Sequence, residues 1–170
     1  MNFEKEKYQG LSLDNEKASL SFEVFPPGTQ ATLDSLYKAL HEMEDLRPDF
    51  ISVTCSNKNY SLEDSTVKIA EHIQSQHELP SIIHLTAAYV GKKEVDETLA
   101  LLHKKGIKNI LALRGDLYPE IPRNGDFQYA ADLITYIKNW DKTFCVTAAC
   151  YPEGHPESLS TLEDIHHLKE

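Results

Sequence analysis

The chain has 170 residues, a length typical of one domain, and its 17 basic and 27 acidic residues give a formal net charge of −10. This acidity argues against a nucleic-acid partner and against docking on an anionic membrane, because both need clustered positive charge. No apolar run approaches the ~20 residues of a membrane span, and the N-terminus lacks the apolar core of a signal peptide. We therefore predict one cytoplasmic domain over residues 1–170, with reduced thiols at Cys55, Cys145 and Cys150.

Short strand-like segments alternate with longer helical ones. Strands are predicted at Leu20–Phe25, Phe50–Cys55, Ile82–Ala87, Ile110–Arg114 and Phe144–Tyr151. Their starts are separated by 30, 32, 28 and 34 residues, which matches the strand–helix–strand unit of about 30 residues. The nearly continuous apolar runs of the middle strands indicate a parallel sheet. A doubly wound α/β sheet and a (β/α) barrel both fit this pattern.

The segments between the strands carry apolar residues at helical spacing. The predicted apolar stripes include Leu36 and Leu40 in the first helix, Val67 and Ile73 in the second, and Leu133, Ile137 and Trp140 in the fourth. Gly106, which follows Lys104 and Lys105, is expected to end the third helix. A last helix is expected to begin near Ser158, with Leu162, Ile165 and Leu168 on one face.

Two polar residues interrupt predicted strands. Glu23 lies within Phe22–Phe25, where burial disfavours the charged form of a carboxyl group, as suits a general acid. A salt-bridged or edge-strand glutamate explains Glu23 equally well. His84 lies between Ile83 and Leu85, either as a core histidine or as a ligand contact. The residues alone leave both pairs of alternatives open.

Other polar residues follow the predicted strands. Thr54, Arg114, Asp116, Tyr151 and His155 fall at or just after strand carboxyl ends, where ligands bind to parallel sheets. No GxGxxG follows a strand and the P-loop pattern is absent, so a Rossmann-type dinucleotide site is not supported. The spacing of the late histidines resembles no standard metal site, and we predict no metal.

Five stretches together resemble a known family. They are Phe22–Pro27, Ser52–Thr54, His84–Thr86, Leu111–Asp116 and Tyr151–Glu157. The chain resembles the bacterial single-domain type of the methylenetetrahydrofolate reductase family. The resemblance implies a (β/α)8 TIM barrel, of which about five of the eight β/α units are visible. It also implies noncovalent FAD and ping-pong reduction of 5,10-methylenetetrahydrofolate to 5-methyltetrahydrofolate by NADH or NADPH.

The resemblance also implies roles for individual residues. Glu23 resembles the general acid that opens the folate's five-membered ring. Asp116 resembles the residue beside the flavin that also binds the pterin, where a negative charge makes the reduced flavin a stronger hydride donor. Thr54 resembles the residue that meets the nicotinamide. The remaining flavin-contacting matches are Cys55, Asn57, His84, Arg114, Gly115, Tyr129, Tyr151, His155, Ser158 and Asp164, the last at the adenosine end.

The chain also departs from the family pattern. Cys55-Ser56-Asn57 stands where many members have Tyr-Gly-Ala, and the chain stops at Glu170 while the family continues through three more units. We therefore expect the N-terminal five-eighths of a barrel, for which the resemblance implies a homo-oligomer. The alternatives are a non-catalytic barrel fragment that binds FAD weakly and a related flavin barrel that oxidises proline.

Overall fold

A computed structural model of the protein describes residues 18–27, 29–55, 66–118, 120 and 125–169. Five strands alternate with five helices within these ranges. The strands are β1 (Ser21–Val24), β2 (Phe50–Val53), β3 (Ser81–Thr86), β4 (Asn109–Leu113) and β5 (Cys145–Ala148). The helices are α1 (Gln30–Glu44), α2 (Thr66–Gln76), α3 (Lys92–Lys105), α4 (Ala130–Trp140) and α5 (Thr161–Lys169).

The strands form one parallel sheet whose spatial order is the order of the sequence, β1-β2-β3-β4-β5. A doubly wound sheet instead reverses its strand order at a switch point. Each strand here pairs with the strand that precedes it, as in a (β/α) barrel. The order therefore decides between the two architectures, and the fold is α/β with five consecutive units of the barrel type.

The two faces of the sheet differ in composition. Val53, Ile83 and Ile110 follow one another across β2, β3 and β4 in register, and each is 0 % exposed. They pack in one apolar cluster with helix residues such as Leu99 and Leu133. We call this side the helix face.

We call the opposite side the polar face. It carries Leu111 and four polar residues, which are Glu23, Ser52, His84 and Thr147. Glu23 pairs with Ser52 across β1 and β2, and Leu111 lies between His84 and Thr147 across β3 to β5. Because side chains alternate along a strand, one apolar and one polar residue set can share the same five strands.

Most of the predicted elements are confirmed, with local differences. The predicted stripe of α2 is buried, and Leu133 and Ile137 of α4 are buried, whereas Trp140 is 38 % exposed. Gly106 ends α3 in the left-handed conformation with a φ of 70°. The fifth strand is shorter than predicted, since β5 ends at Ala148. The chain then forms a turn in which the backbone N–H of Gly154 donates to the carbonyl of Tyr151.

The prediction for the last helix was wrong in its start, and its apolar stripe is uncovered. Helix α5 begins at Thr161, after a turn in which Ser158 donates a backbone hydrogen bond to His155. Leu162, Ile165 and Leu168 are 57–79 % exposed. Over the described residues, no helix combines the length and apolar character that crossing a membrane requires.

Candidate functional site at the carboxyl ends of the strands

Three polar side chains meet on the polar face of β1, β2 and β3. The Oγ of Ser52 donates a long hydrogen bond of 3.5 Å to Oε2 of Glu23. The same carboxylate oxygen lies 3.3 Å from Nε2 of His84. Glu23 and Ser52 are 29 positions apart in sequence, and Ser52 and His84 are 32 positions apart. They meet because β1 pairs in parallel with β2, and β3 follows β2 in the sheet.

Glu23 is not buried as its apolar strand predicted. Its side chain is 49 % exposed, because β1 is an edge strand and the glutamate faces away from the helices. The burial expected of Glu23 was therefore wrong, and its role as a general acid stays a prediction. Its carboxylate stays open to solvent while it contacts Ser52 and His84.

His84 is buried, as its interpretation as a core histidine predicts, while a ligand contact stays a prediction. Its side chain is 9 % exposed, and its Nε2 is buried without an aligned hydrogen-bond partner in the described structure. Burial lowers the pKa of His84, and the nearby Glu23 carboxylate partly opposes this effect. The imidazole is therefore neutral at neutral pH, with an unsatisfied ring nitrogen on the polar face.

The ends of β2, β3 and β4 pack closely around Thr86. Burial raises the pKa of the Cys55 thiol, and a hydrogen bond with Thr86 lowers it in part. Gly115 has a φ of 84°, and a Cβ built on it would lie 3.1 Å from the Cβ of Thr86. Thr54 follows β2, and its backbone N–H donates to the carbonyl of Val24. Cys55 is therefore a protonated, shielded thiol rather than an anionic nucleophile.

Arg114 is held by the loop that follows β5. Its guanidinium donates two hydrogen bonds to the carboxylate of Glu157, at 2.6 and 3.0 Å. These bonds raise the pKa of Arg114, and the nearby Asp116 carboxylate adds a smaller effect in the same direction. The bidentate pair joins the ends of β4 and β5 across 43 residues of sequence. Asp116 itself is exposed beside this pair.

Asp164 organises the loop between β5 and α5. One of its carboxylate oxygens accepts the backbone N–H of His155 at 2.9 Å, and the other accepts the hydroxyl of Ser158 at 3.0 Å. The ring of His155 contacts the edge of Tyr151, with centroids 4.7 Å apart. The loop is thus built by the chain's own polar groups, with the Tyr151 ring 52 % exposed.

The structure brings most of the predicted site residues into three neighbouring groups. The first is centred on Glu23 and His84, the second on Arg114 with Gly115 and Asp116, and the third on Asp164. Tyr129 lies apart at the start of α4, where its backbone N–H donates to Asp132 and its ring is 57 % exposed. Asn57 lies outside the described residues.

Sequence reasoning missed the partners of these residues. Ser52, Thr86 and Glu157 all stand within the quoted motifs, but none was singled out for its side chain. Ser52 carried a usable signal, since it is a small polar residue two positions before Thr54 on the same face of β2. Glu157 carried none, because its pairing with Arg114 depends on the path of a loop.

The arrangement places a carboxylate, a neutral imidazole and exposed apolar side chains at one edge of a parallel sheet. Glu23 is accessible to solvent protons, and His84 has a ring nitrogen free for a polar ligand. Phe25, Leu117 and Tyr151 follow three different strands and are 39–69 % exposed. Fold and site define a class, the α/β proteins of the (β/α) barrel type that bind ligands where the strands end.

Comparison with known proteins identifies the family within this class. The family model for methylenetetrahydrofolate reductase matches residues 9–170. The chain belongs to the methylenetetrahydrofolate reductase family. The five motifs on which the resemblance was based lie within the matched residues.

Relatives from distant organisms give the same match. The 5,10-methylenetetrahydrofolate reductase of Escherichia coli (strain K12) is 34 % identical over 161 residues, which is 95 % of this chain and 53 % of the relative. Methylenetetrahydrofolate reductase 1 of Schizosaccharomyces pombe is 36 % identical, over 91 % of this chain and 26 % of the relative. A probable methylenetetrahydrofolate reductase (NADH) of Oryza sativa is 32 % identical, over 93 % and 27 %. The chain spans about half or less of these relatives.

Proposed function

We propose that this chain forms the flavin-binding and proton-donating part of an enzyme that reduces 5,10-methylenetetrahydrofolate to 5-methyltetrahydrofolate. The observation that carries the proposal is the contact of Glu23 with Ser52 and His84, in a chain of this family. NADH or NADPH is the reductant and FAD the cofactor. The family match favours folate over proline as the substrate class.

The residues at the strand carboxyl ends fit a flavin. The buried Nε2 of His84 lacks a hydrogen-bond partner in the described part of the chain, and a polar edge of a ligand would satisfy it. The exposed rings of Tyr151 and Tyr129 offer apolar surface to a flat ring system. When bound, FAD would supply the chemistry of hydride transfer between the nicotinamide and the folate. Thr54, His84 and Tyr151 would hold the cofactor.

Glu23 supplies the proton in this scheme. Protonation of a ring nitrogen of the folate breaks its bond to the methylene carbon and leaves an iminium, and hydride addition to that carbon then gives the methyl group. Ser52 donates a hydrogen bond to the Glu23 carboxylate and so fixes its orientation. Because its side chain is 49 % exposed, Glu23 regains its proton from solvent after each turnover.

The Glu23→Gln variant tests this assignment. We expect folate reduction to fall by about 10²-fold or more, because a general acid contributes that much, while flavin reduction by NAD(P)H persists. Anaerobic stopped-flow spectroscopy of the flavin measures the two half-reactions separately. The control is Glu97→Gln, which removes an exposed carboxylate on α3. Unchanged folate turnover in Glu23→Gln would refute the role of Glu23.

Asp116 would act through its charge. It is exposed at the end of β4, where a carboxylate near the flavin disfavours the anionic reduced form and strengthens hydride donation. The Asp116→Asn variant is therefore expected to raise the reduction potential of the bound flavin. A potentiometric titration that gives an unchanged or lower potential would contradict this role.

A second candidate function is a non-catalytic module that binds FAD weakly. It is favoured by one observation, that two of the predicted FAD contacts are already occupied within the protein. Arg114 is paired with Glu157, and both carboxylate oxygens of Asp164 accept hydrogen bonds. A fluorescence titration of FAD decides between the candidates, since tight stoichiometric binding excludes the weak module.

We also propose that the chain forms homo-oligomers. Among the described residues, β1 and β5 are the outermost strands of the sheet, and the outer side of such a strand can pair with another chain. Light scattering after size-exclusion chromatography would show a mass above that of one chain. A monomer across a range of concentrations would exclude the proposal.

A further inference from the structure

Two imidazoles and a carboxylate converge at the end of the molecule opposite the candidate site. His41 and Glu44 lie one turn apart at the end of α1, and His77 directly follows α2. Oε2 of Glu44 lies 3.1 Å from Nδ1 of His41 and 3.4 Å from Nδ1 of His77. The three ligand atoms all lie within 4.8 Å of one another.

His77 gives an independent indication of a ligand. Its side chain is 5 % exposed, and both ring nitrogens are buried without a hydrogen-bond partner in the described structure. Its contact with Glu44 is close but is not aligned as a hydrogen bond. A buried imidazole without partners is costly, because native structures satisfy most buried polar atoms. Nδ1 of His77 lies 3.4 Å from the same carboxylate oxygen that contacts His41.

The spacing of the three atoms suits a tetrahedral metal ion. Ligands about 2.1 Å from such an ion lie about 3.4 Å from one another. The two contacts of Glu44, at 3.1 and 3.4 Å, are close to this value. The side chain of His41 is 79 % exposed, so it is free to rotate and close the remaining distance to His77.

The ligand types select the class of ion. Calcium and magnesium prefer sets of oxygen ligands, whereas imidazole nitrogens suit zinc, copper and nickel. Two histidines and one glutamate form a zinc ligand set that leaves a fourth position for water. The negative ends of the α1 and α2 dipoles add an attraction for a cation here.

We propose that His41, Glu44 and His77 bind a divalent transition-metal ion, with Zn²⁺ as the best match. The ion would join the end of α1 to the end of α2, on the side of the sheet where the strands begin. Helix C-termini lie at that side in a β/α unit, so the metal is remote from Glu23 and has a structural effect. Its binding energy would stabilise the folded chain.

Isothermal titration with Zn²⁺ alone tests the proposal. All proteins carry Cys150→Ser, because this exposed thiol would otherwise bind the metal. We expect one Zn²⁺ per chain, with an affinity at least about tenfold weaker in His77→Gln and in Glu44→Gln. Co²⁺ added in place of Zn²⁺ should give the visible absorption bands of a tetrahedral site, and these should be absent in the variants.

Two further variants keep the result decisive. His41→Gln changes an exposed side chain, so its loss of Zn²⁺ affinity cannot be attributed to misfolding. The double variant His166→Gln/His167→Gln serves as the control, since it removes imidazoles from α5 and should bind Zn²⁺ as the parent does. The absence of stoichiometric binding in the parent, or unchanged affinity in His41→Gln, would overturn the proposal.

A thermal unfolding experiment adds a readout of the structural effect. Excess Zn²⁺ is expected to raise the melting temperature of the parent protein and not that of His41→Gln, because a ligand stabilises only the folded state that binds it. Equal shifts in the two proteins would place the bound metal elsewhere and contradict the assignment.

Discussion

The helix face and the polar face of the sheet are built from the same strands and serve different purposes. Ile110 and Leu111 are neighbours in β4, but Ile110 is 0 % exposed on the helix face and Leu111 is only partly buried on the polar face. In β3, Ile83 likewise belongs to the apolar core while its neighbour His84 faces Glu23. Alternation along a strand thus separates the apolar core from the polar groups of the candidate site, residue by residue.

The largest expected effect is on the free energy of unfolding, when a side chain of the helix face and one of the polar face are each truncated to alanine. Ile110→Ala should destabilise the protein by about 2–5 kcal/mol, because it leaves a cavity in the packed core. Leu111→Ala should cost clearly less, since the leucine is only partly buried. Urea unfolding followed by circular dichroism measures both values. Equal losses would show that the polar face contributes to the core as much as the helix face does.

The second expected effect concerns Gly115, which lies just after the end of β4. Gly115→Ala should destabilise the chain by more than the ~1–2 kcal/mol that a left-handed backbone costs an alanine, because the new methyl group also meets Thr86 at 3.1 Å. Gly125→Ala is the matched control, with a φ of 85° and no atom of the described residues within 4 Å of the added Cβ. The difference between the two unfolding free energies isolates the contact with Thr86, and no difference would exclude its importance.

The smallest expected effect is a pH dependence caused by His84. Burial lowers its pKa in the folded state, so the unfolded chain binds a proton more readily. Its contribution to stability is present above the ordinary histidine pKa of about 6.5 and is lost as the pH falls through that value towards the folded pKa. Glu23 is the charged group that faces it and limits the loss.

Urea midpoints measured from pH 7.5 down to 5 would reveal this effect. We expect His84→Gln to lose stability less steeply with falling pH than the parent protein. The control His166→Gln changes a histidine on the exposed helix α5 and should follow the parent curve. Parallel curves for His84→Gln and the parent would mean that protonation of His84 does not destabilise the folded protein.

Much of the helix face was predictable from sequence because burial leaves a periodic pattern. The continuous apolar run at Ile110 to Leu113 predicted β4, and Gly106 after two lysines predicted the end of α3. The strand order was not predictable from the same pattern. It depends on which strands meet in space, and two architectures share the same alternation of strands and helices.

The polar face was predictable only in its location. Residue types and positions placed Glu23 and His84 within strands and other polar residues at the strand ends, but they did not predict that Glu23 and His84 meet. The exposure of Glu23 depends on the position of β1 at the edge of the described sheet, and the sequence of β1 does not predict that position. The pairing of Arg114 with Glu157 and the approach of His77 to Glu44 join segments more than 30 residues apart. Such contacts are determined by packing rather than by local pattern.

The sequential strand order has a consequence for how the chain reaches its structure. Each strand pairs with one that lies about 30 residues earlier, as Phe50 pairs with Ser21 and Asn109 with Ile82. When a new strand leaves the ribosome, the strand with which it pairs has therefore already been synthesised. The sheet can grow in the order of translation, with only short loops to close. Pulse-labelled hydrogen exchange on ribosome-bound chains of increasing length would detect protection of β1 and β2 first. Protection that began at β4 and β5 would show growth from the other edge.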